Sequence, residues 1–373
     1  MNFEFDDEHL ALKDQLRRLL KAHDSIAVTR RLTDVDGDFD RVLWAHLAEL
    51  GVLGAAIPEG YGGSGGGYLA LCAVAEELGY GLASLPTLPT LCLAARIIES
   101  VGTAEQKKRY LPAIARGELT ACLALAESPG RVLGSEIACR VRNGRLSGTK
   151  LPTLDGASAD VAIVLAQDND KNSGLSLQLV DLKSAGVDRQ KLASIDPARG
   201  QARLTFSDAV AEPIGANATP ISVIEDAFNS AAVVLAFEQV GGAERALEMA
   251  RNYALERTAF GRQIGTFQAI KHKLTDMFVA VTIARSNAYF GAWALASGSP
   301  ELAFAAANAR VSANHAFQFC ANENTHIHGA MGFTWDMDCH LFFRRANQLS
   351  LALDGQLYWQ DRLIEASKSR LVA

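Results

Sequence analysis

Apolar positions change their period twice along the chain. From residue 7 to about 118 they recur at helical spacing, and in residues 8–20 Leu12, Leu16, Leu19 and Leu20 fall on one stripe, which predicts a core-facing helix. A second helix is predicted around residues 44–50, ending at Gly51; a glycine-rich loop over 58–67 and a further helix through 70–78 follow. From about 119 to 212 the runs shorten: residues 159–166, 175–180 and 202–206 are apolar or alternating and are bounded by Gly, Asp, Asn and Pro, as strands are. After Pro213 the helical period returns, with Phe228, Ala231, Leu235, Val240, Leu247 and Ala254 recurring along it, and short connections such as Gly298-Ser299-Pro300 predict a bundle.

This order predicts an α+β fold divided into a helical N-terminal domain (1–118), a small middle β domain (119–212) and a C-terminal helical bundle domain (213–373). No internal repeat is evident. No strand, Gly-x-Gly-x-x-Gly and helix unit occurs, which disfavours a Rossmann dinucleotide site.

Composition narrows the function classes. A chain of 373 residues with 49% hydrophobic and 21% charged residues is long enough for two or three cores. Its formal net charge of -6 argues against a nucleic-acid partner and a polybasic membrane surface, while leaving room for a local basic patch. The acidic start through Asp6 and Asp7 lacks the basic and apolar segments of a signal or transit peptide, and no apolar run reads as a membrane span, so a cytoplasmic protein is expected. Cys72, Cys92, Cys122, Cys139, Cys320 and Cys339 are scattered without Cys-x-x-Cys spacing; buried reduced thiols are expected, with no disulfide and no metal site.

Two stretches carry the candidate chemistry. Residues 253–265 place Arg257 just beyond a predicted helix, where a guanidinium suits a bidentate, charge-assisted pair with a diphosphate. Phe260 could cover a flat ring, and Gln268 could donate to a phosphate or sugar oxygen. An ordinary helix end with a surface Arg and a buried Phe reads equally well. Residues 326–332, with His326, His328, Gly329 and Ala330, supply small residues where backbone N–H groups could approach anionic oxygens; a plain glycine turn between helices has the same composition.

In this order and spacing nearly the whole chain resembles the acyl-CoA dehydrogenase family. The resemblance runs through Gly51-Val52-Leu53-Gly54, Ile57-Pro58-Glu59-Gly60-Tyr61-Gly62-Gly63, Glu76-Glu77-Leu78-Gly79 and residues 106–112, then from Glu256-Arg257 to Gly265-Thr266-Phe267-Gln268 and on to His272. It implies a C-terminal four-helix bundle and a tetramer, homomeric or heteromeric, holding FAD across subunit boundaries. Arg257, Phe260, Gln268, His326, His328, Gly329, Ala330 and Gln356 would serve the flavin. The substrate would be an acyl-CoA thioester, with electrons leaving to an electron-transferring flavoprotein. In this chain the family's Trp-x-Thr flavin contact is replaced around residues 150–156, and its Thr-Glu-Pro becomes Ala126-Glu127-Ser128-Pro129.

Family chemistry needs a carboxylate to remove the α-proton of the thioester, held close and largely desolvated. A helix over residues 341–346 leads to Leu353-Asp354-Gly355-Gln356, and Asp354 is the candidate base, one residue out of register with a gap-free alignment from Arg344. The same Asp-Gly pair also reads as a turn. Glu238, two turns beyond Ala231 on one helix face, is the alternative base, and it reads equally as a structural charge. Two functions follow: an acyl-CoA dehydrogenase, or a non-catalytic or site-completing partner subunit of a heteromeric one.

Overall fold

In the computed structural model, which describes residues 5–35, 38–130, 136–168 and 174–372, the Asp6 carboxylate accepts the His9 amide and so starts α1 (Asp7–His23). Met1 to Glu4 of the acidic N-terminal stretch lie outside the described residues. Leu16 and Leu20 of the α1 stripe are buried, while Leu12 and Leu19 are half-buried at its margins. Further helices are α2 (Ser25–Asp34), α3 (Arg41–Glu49), α4 (Gly67–Tyr80), α5 (Ala95–Val101) and α6 (Ala104–Ala115), the last begun by a reciprocal Thr103–Gln106 capping box.

Strands then form a mainly antiparallel sheet: β1 (Ala121–Ala124), β2 (Arg140–Arg142), β3 (Arg145–Leu154), β4 (Val161–Asp168), β5 (Gly174–Asp181), β6 (Val187–Leu192), β7 (Gln201–Val210) and β8 (Glu212–Ile214). Their order is β6-β7-β3-β2-β4-β5-β8, with β1 parallel to β4. The unbroken apolar run of β4 is buried on both faces. β3 hides a charge: Lys150, fully buried, donates to the Leu125 carbonyl and pairs with Glu127 at 2.7 Å. Burial pushes the Glu127 carboxyl up, but Lys150 and the amides of Cys139 and Ala138 outweigh it and hold the group below the usual carboxylate range.

The C-terminal part is helical: α7 (Pro220–Glu256), a hairpin of β9 (Thr258–Ala259) and β10 (Arg262–Gln263), α8 (Gln268–Ala296), α9 (Leu302–His328), α10 (Cys339–Leu351) and α11 (Gly355–Val372). α9 packs on α8, α10 and α11. Against the sequence expectation, α7 is long and apolar enough to cross a bilayer by length and composition, with mean hydropathy 1.4 over its most apolar 18 residues. Of that stretch 61% is buried in the fold, as in the core helix of a packed domain. Each cysteine is a buried free thiol, and burial pushes Cys139 up to about 11 and Cys320 and Cys339 up to about 12.

Two compact units result. One comprises Leu32–Gly67 and Ser84–Ala231 and contains the sheet; the other comprises Met1–Arg31, Tyr68–Ala83 and Ala232–Ala373. Within the second, α4 and α7 cross at backbone contact. A Cβ added at Gly79 would lie 1.9 Å from the Glu238 carbonyl oxygen, and one at Gly241 would lie 1.9 Å from that of Glu76. Every sequence-predicted site residue falls in this unit.

Candidate functional site

The last turn of α7 ends in a tied hairpin. Arg257 donates its amide to the Tyr253 carbonyl and accepts the Ile264 amide, which fixes the hairpin's base. Its tip turns through Phe260 (φ 53°) and Gly261 (φ 79°), two left-handed residues of the kind a tight hairpin requires. Phe260 is consequently 94% exposed, not buried, with its ring edge-on to Phe267, which Arg262 covers at 4.1 Å. The Arg257 side chain is exposed and makes no ion pair among the described residues. Gln268 opens α8 and is exposed beside Phe267.

α9 ends at the second predicted stretch. His328 is 4% exposed; its Nδ1 donates to the Asn324 carbonyl at 2.8 Å, and its ring stacks on Tyr253 with centroids 4.1 Å apart. Burial holds its pKa below the usual histidine value, and the bond to Asn324 opposes that only in part, so the ring is neutral at pH 7. The structure therefore puts His328 in the packing beneath the helix end, unlike the other proposed flavin contacts of this stretch, because Tyr253 and Asn324 occupy its ring. His326 points to solvent, 3.5 Å from Glu323. Gly329 takes φ 60° with open space where a Cβ would stand, and Ala330 is exposed. Arg30 on α2 holds the following loop through the Trp335 carbonyl and the Asp338 carboxylate.

The two predicted stretches are thus brought together inside one chain, at the Tyr253–His328 stack. The two candidate carboxylates stand elsewhere. Asp354 lies between α10 and α11 in a turn of three consecutive left-handed residues, Leu353 (φ 56°), Asp354 (φ 72°) and Gly355 (φ 78°). Leu353, at the gap-free base position, is buried and lends its carbonyl to the indole N–H of Trp359 at 2.7 Å; Asp354 is half-buried and Gln356 is exposed. The backbone at Asp354-Gly355 is a turn, as that pair reads in the sequence.

Glu238 is 6% exposed on α7, one residue from Gln239 and in the electrostatic field of Arg310. Arg310, on α9, is 1% exposed and bonds to Gln239 and to the carbonyls that precede the Asp354 turn. Sequence reasoning passed over Arg310, although a lone cation behind the alanine-rich stretch at residues 305–309 is a visible signal that something buried must balance it. It also passed over Tyr253 and Trp359, whose partners are far away in sequence.

Residues 6–118 match the acyl-CoA dehydrogenase N-terminal domain and residues 221–356 the acyl-CoA dehydrogenase C-terminal domain. The chain is 30% identical over 350 residues to the acyl-CoA dehydrogenase IpdE2 of Mycobacterium tuberculosis, covering 94% of each. Among solved structures it is similar to a Tcur3481-Tcur3483 steroid ACAD variant (TM-score 0.86, 30% identity, 98% of this chain and 99% of that one). It is also similar to a chain of the ChsE4-ChsE5 complex from Mycobacterium tuberculosis (TM-score 0.88, 27% identity, 99% of each).

Proposed function

The chain belongs to the acyl-CoA dehydrogenase family, and from that premise we propose that it catalyses FAD-dependent α,β-dehydrogenation of an acyl-CoA thioester. The observation that carries this reading is the pairing of helix ends at Tyr253 and His328, which leaves Arg257 and Gly329 exposed beside it. The residues fit the cofactor: Arg257 is a guanidinium with no ion pair among the described residues, and Gly329 has the open space a close backbone approach to a diphosphate needs. FAD, when bound, supplies the two-electron acceptor for the β-hydrogen.

The chain's own residues do the rest. Arg257 would hold the diphosphate through its guanidinium, the 329–330 backbone would add donors, and the exposed Phe260, Gln268, His326 and Gln356 would add contacts to the cofactor. His328 acts from beneath, by seating the α9 end on Tyr253. Asp354, in the turn between α10 and α11, would take the α-proton onto its carboxylate. Glu238 is read as the counter-charge of buried Arg310 and not as a base.

Exposed Phe260 (94%), Phe333 (76%), Leu357 (76%) and Leu351 (70%) favour an assembly that covers them, in keeping with a tetramer. The electron acceptor in this reading is an electron-transferring flavoprotein, and the setting is cytoplasmic. The domain limits 1–118, 119–212 and 213–373 belong to the same reading.

A second reading, a site-completing partner subunit, is favoured by one observation: β3 carries Lys150-Leu151-Pro152-Thr153-Leu154 where the family has Trp-x-Thr. Relatives whose names pair two chains, Tcur3481-Tcur3483 and ChsE4-ChsE5, make a heteromer and a steroid-type thioester the natural candidates. The test is spectroscopic. Purified chain reconstituted with FAD is mixed with butyryl-CoA and with a steroid side-chain CoA thioester. Bleaching of the flavin supports the dehydrogenase. A chain that stays colourless or inert alone and bleaches only with a co-expressed partner supports the second reading.

A further inference from the structure

Arg310 is a buried guanidinium whose two terminal nitrogens hold Gln239 and the chain just before the Asp354 turn, while its Nε has no hydrogen-bond partner. Nη1 donates to Gln239 Oε1 at 2.5 Å, and Gln239 is itself held by its Nε2 bond to Asn314 at 3.1 Å. Nη2 donates to the carbonyls of Leu349 at 2.5 Å and Ala352 at 3.2 Å. Leu349 lies in the last turn of α10 and Ala352 is its C-cap, where carbonyls have no donor from a continuing helix. Backbone donors share these carbonyls with Arg310: Ala352 N reaches Leu349 O at 3.2 Å, against 2.5 Å from Arg310, and Gly355 N reaches Ala352 O at 3.4 Å, against 3.2 Å.

Immediately beyond stand the left-handed Leu353 and Asp354, conformations that side-chain-bearing residues hold only where the surroundings impose them. The Trp359 indole grips the turn from the far side through the Leu353 carbonyl. Burial pushes the Arg310 guanidinium down to about 9, Glu238 raising it in opposition, so the group stays charged at pH 7 and its bonds are charge-assisted. A planar fork can hold Gln239 and two carbonyls at once; a lysine ammonium in that place cannot.

We infer that Arg310 is the positioning residue of the Asp354 turn: its fork fixes the Leu349 and Ala352 carbonyls and thereby sets where the Asp354 carboxylate stands. This rests on Asp354 as the base, but the hold on the turn is separable from the chemistry. In the full chain, Arg310→Lys keeps the buried charge and removes the fork, and Trp359→Phe releases the turn from the other side.

Hydrogen exchange followed by mass spectrometry should show the amides of residues 352–356 exchanging about tenfold faster in both variants, with those of residues 342–346 unchanged. With FAD and butyryl-CoA, the bleaching rate constant of Arg310→Lys should fall about a hundredfold with KM within about threefold, the signature of a misplaced base. Wild-type exchange in the turn of Arg310→Lys overturns the positioning role outright. Faster exchange with an unchanged bleaching rate overturns its link to the base. A wild-type chain that fails to bleach with either thioester overturns the dehydrogenase reading instead, and the exchange comparison then decides alone whether Arg310 holds the turn.

Discussion

The rings of Tyr253 and His328 stack with centroids 4.1 Å apart and planes 24° apart, joining the last turn of α7 to the last turn of α9. Seventy-odd residues separate the two in sequence, so neither helix end could have been placed against the other by local pattern. The stack fixes the spacing between Arg257 and Gly329 without spending either of them.

The stack has an acid cost. His328 has its pKa lowered by burial, so below its unfolded value of about 6.5 the unfolded chain binds more protons than the folded one. Stability contributed by the neutral ring is full above that value and is lost as pH falls toward the folded pKa. His328→Phe keeps the stacking and removes the titration. The drop in Tm between pH 7.5 and pH 5.5 should be smaller in the variant than in wild type by on the order of 1–2 °C. Equal drops in scanning calorimetry would show that His328 is not a buried neutral ring.

Arg257 should matter to ligand and not to folding, because its side chain is exposed and unpaired among the described residues. Arg257→Lys keeps the charge and loses the second parallel N–H. FAD affinity, read by quenching of flavin fluorescence on titration into apoprotein, should weaken about 10- to 100-fold, the worth of one charge-assisted hydrogen bond. The apoprotein Tm should stay within about 1 °C. An unchanged affinity would move the diphosphate away from this helix end.

How much of this was legible in the sequence depends on the range of each interaction. Leu16 and Leu20 on α1 and the continuous run of β4 were readable because period and burial are local properties. β3 was not singled out: Lys150 and Pro152 break its pattern, and the burial of Lys150 makes sense only with Glu127, 23 residues away, beside it. The Asp-Gly turn announced itself, yet its support did not, since Arg310 reaches Ala352 across 42 residues. Phe260 shows the converse: of its two readings, a ring-covering residue and a buried one, two positive φ angles at the hairpin tip rule out burial and leave it exposed. Pair contacts and turn geometry, not element type, were the hidden part.

The two candidate carboxylates should separate cleanly. Asp354→Asn is nearly isosteric and cannot accept a proton, so flavin bleaching by acyl-CoA should slow by about a thousandfold or more while FAD stays bound. Glu238→Gln removes the opposing charge that acts on buried Arg310, so it should lower stability in urea titration and leave the bleaching rate within about threefold. If Glu238→Gln instead abolishes bleaching in a stable protein, the two roles must be exchanged.

The crossing of α4 and α7 gives the sharpest stability test. At Gly79 and at Gly241 an added methyl would sit 1.9 Å from a carbonyl oxygen of the opposite helix, and a backbone oxygen cannot swing aside as a flexible side chain can. Overpacking a core ordinarily costs about 1–3 kcal/mol, and a backbone clash belongs at or beyond the top of that range. Gly79→Ala and Gly241→Ala should each cost about 3 kcal/mol or more in urea unfolding. Gly60→Ala serves as the control, since a Cβ there meets nothing within 4 Å and its change should be near zero. Because the carbonyl that Gly79 meets is that of Glu238, prising the helices apart should also shift Glu238 relative to Arg310 and, through Arg310, loosen the Asp354 turn. Loss of stability in both glycine variants with no change in hydrogen exchange over residues 352–356 would show that the crossing and the turn are independent.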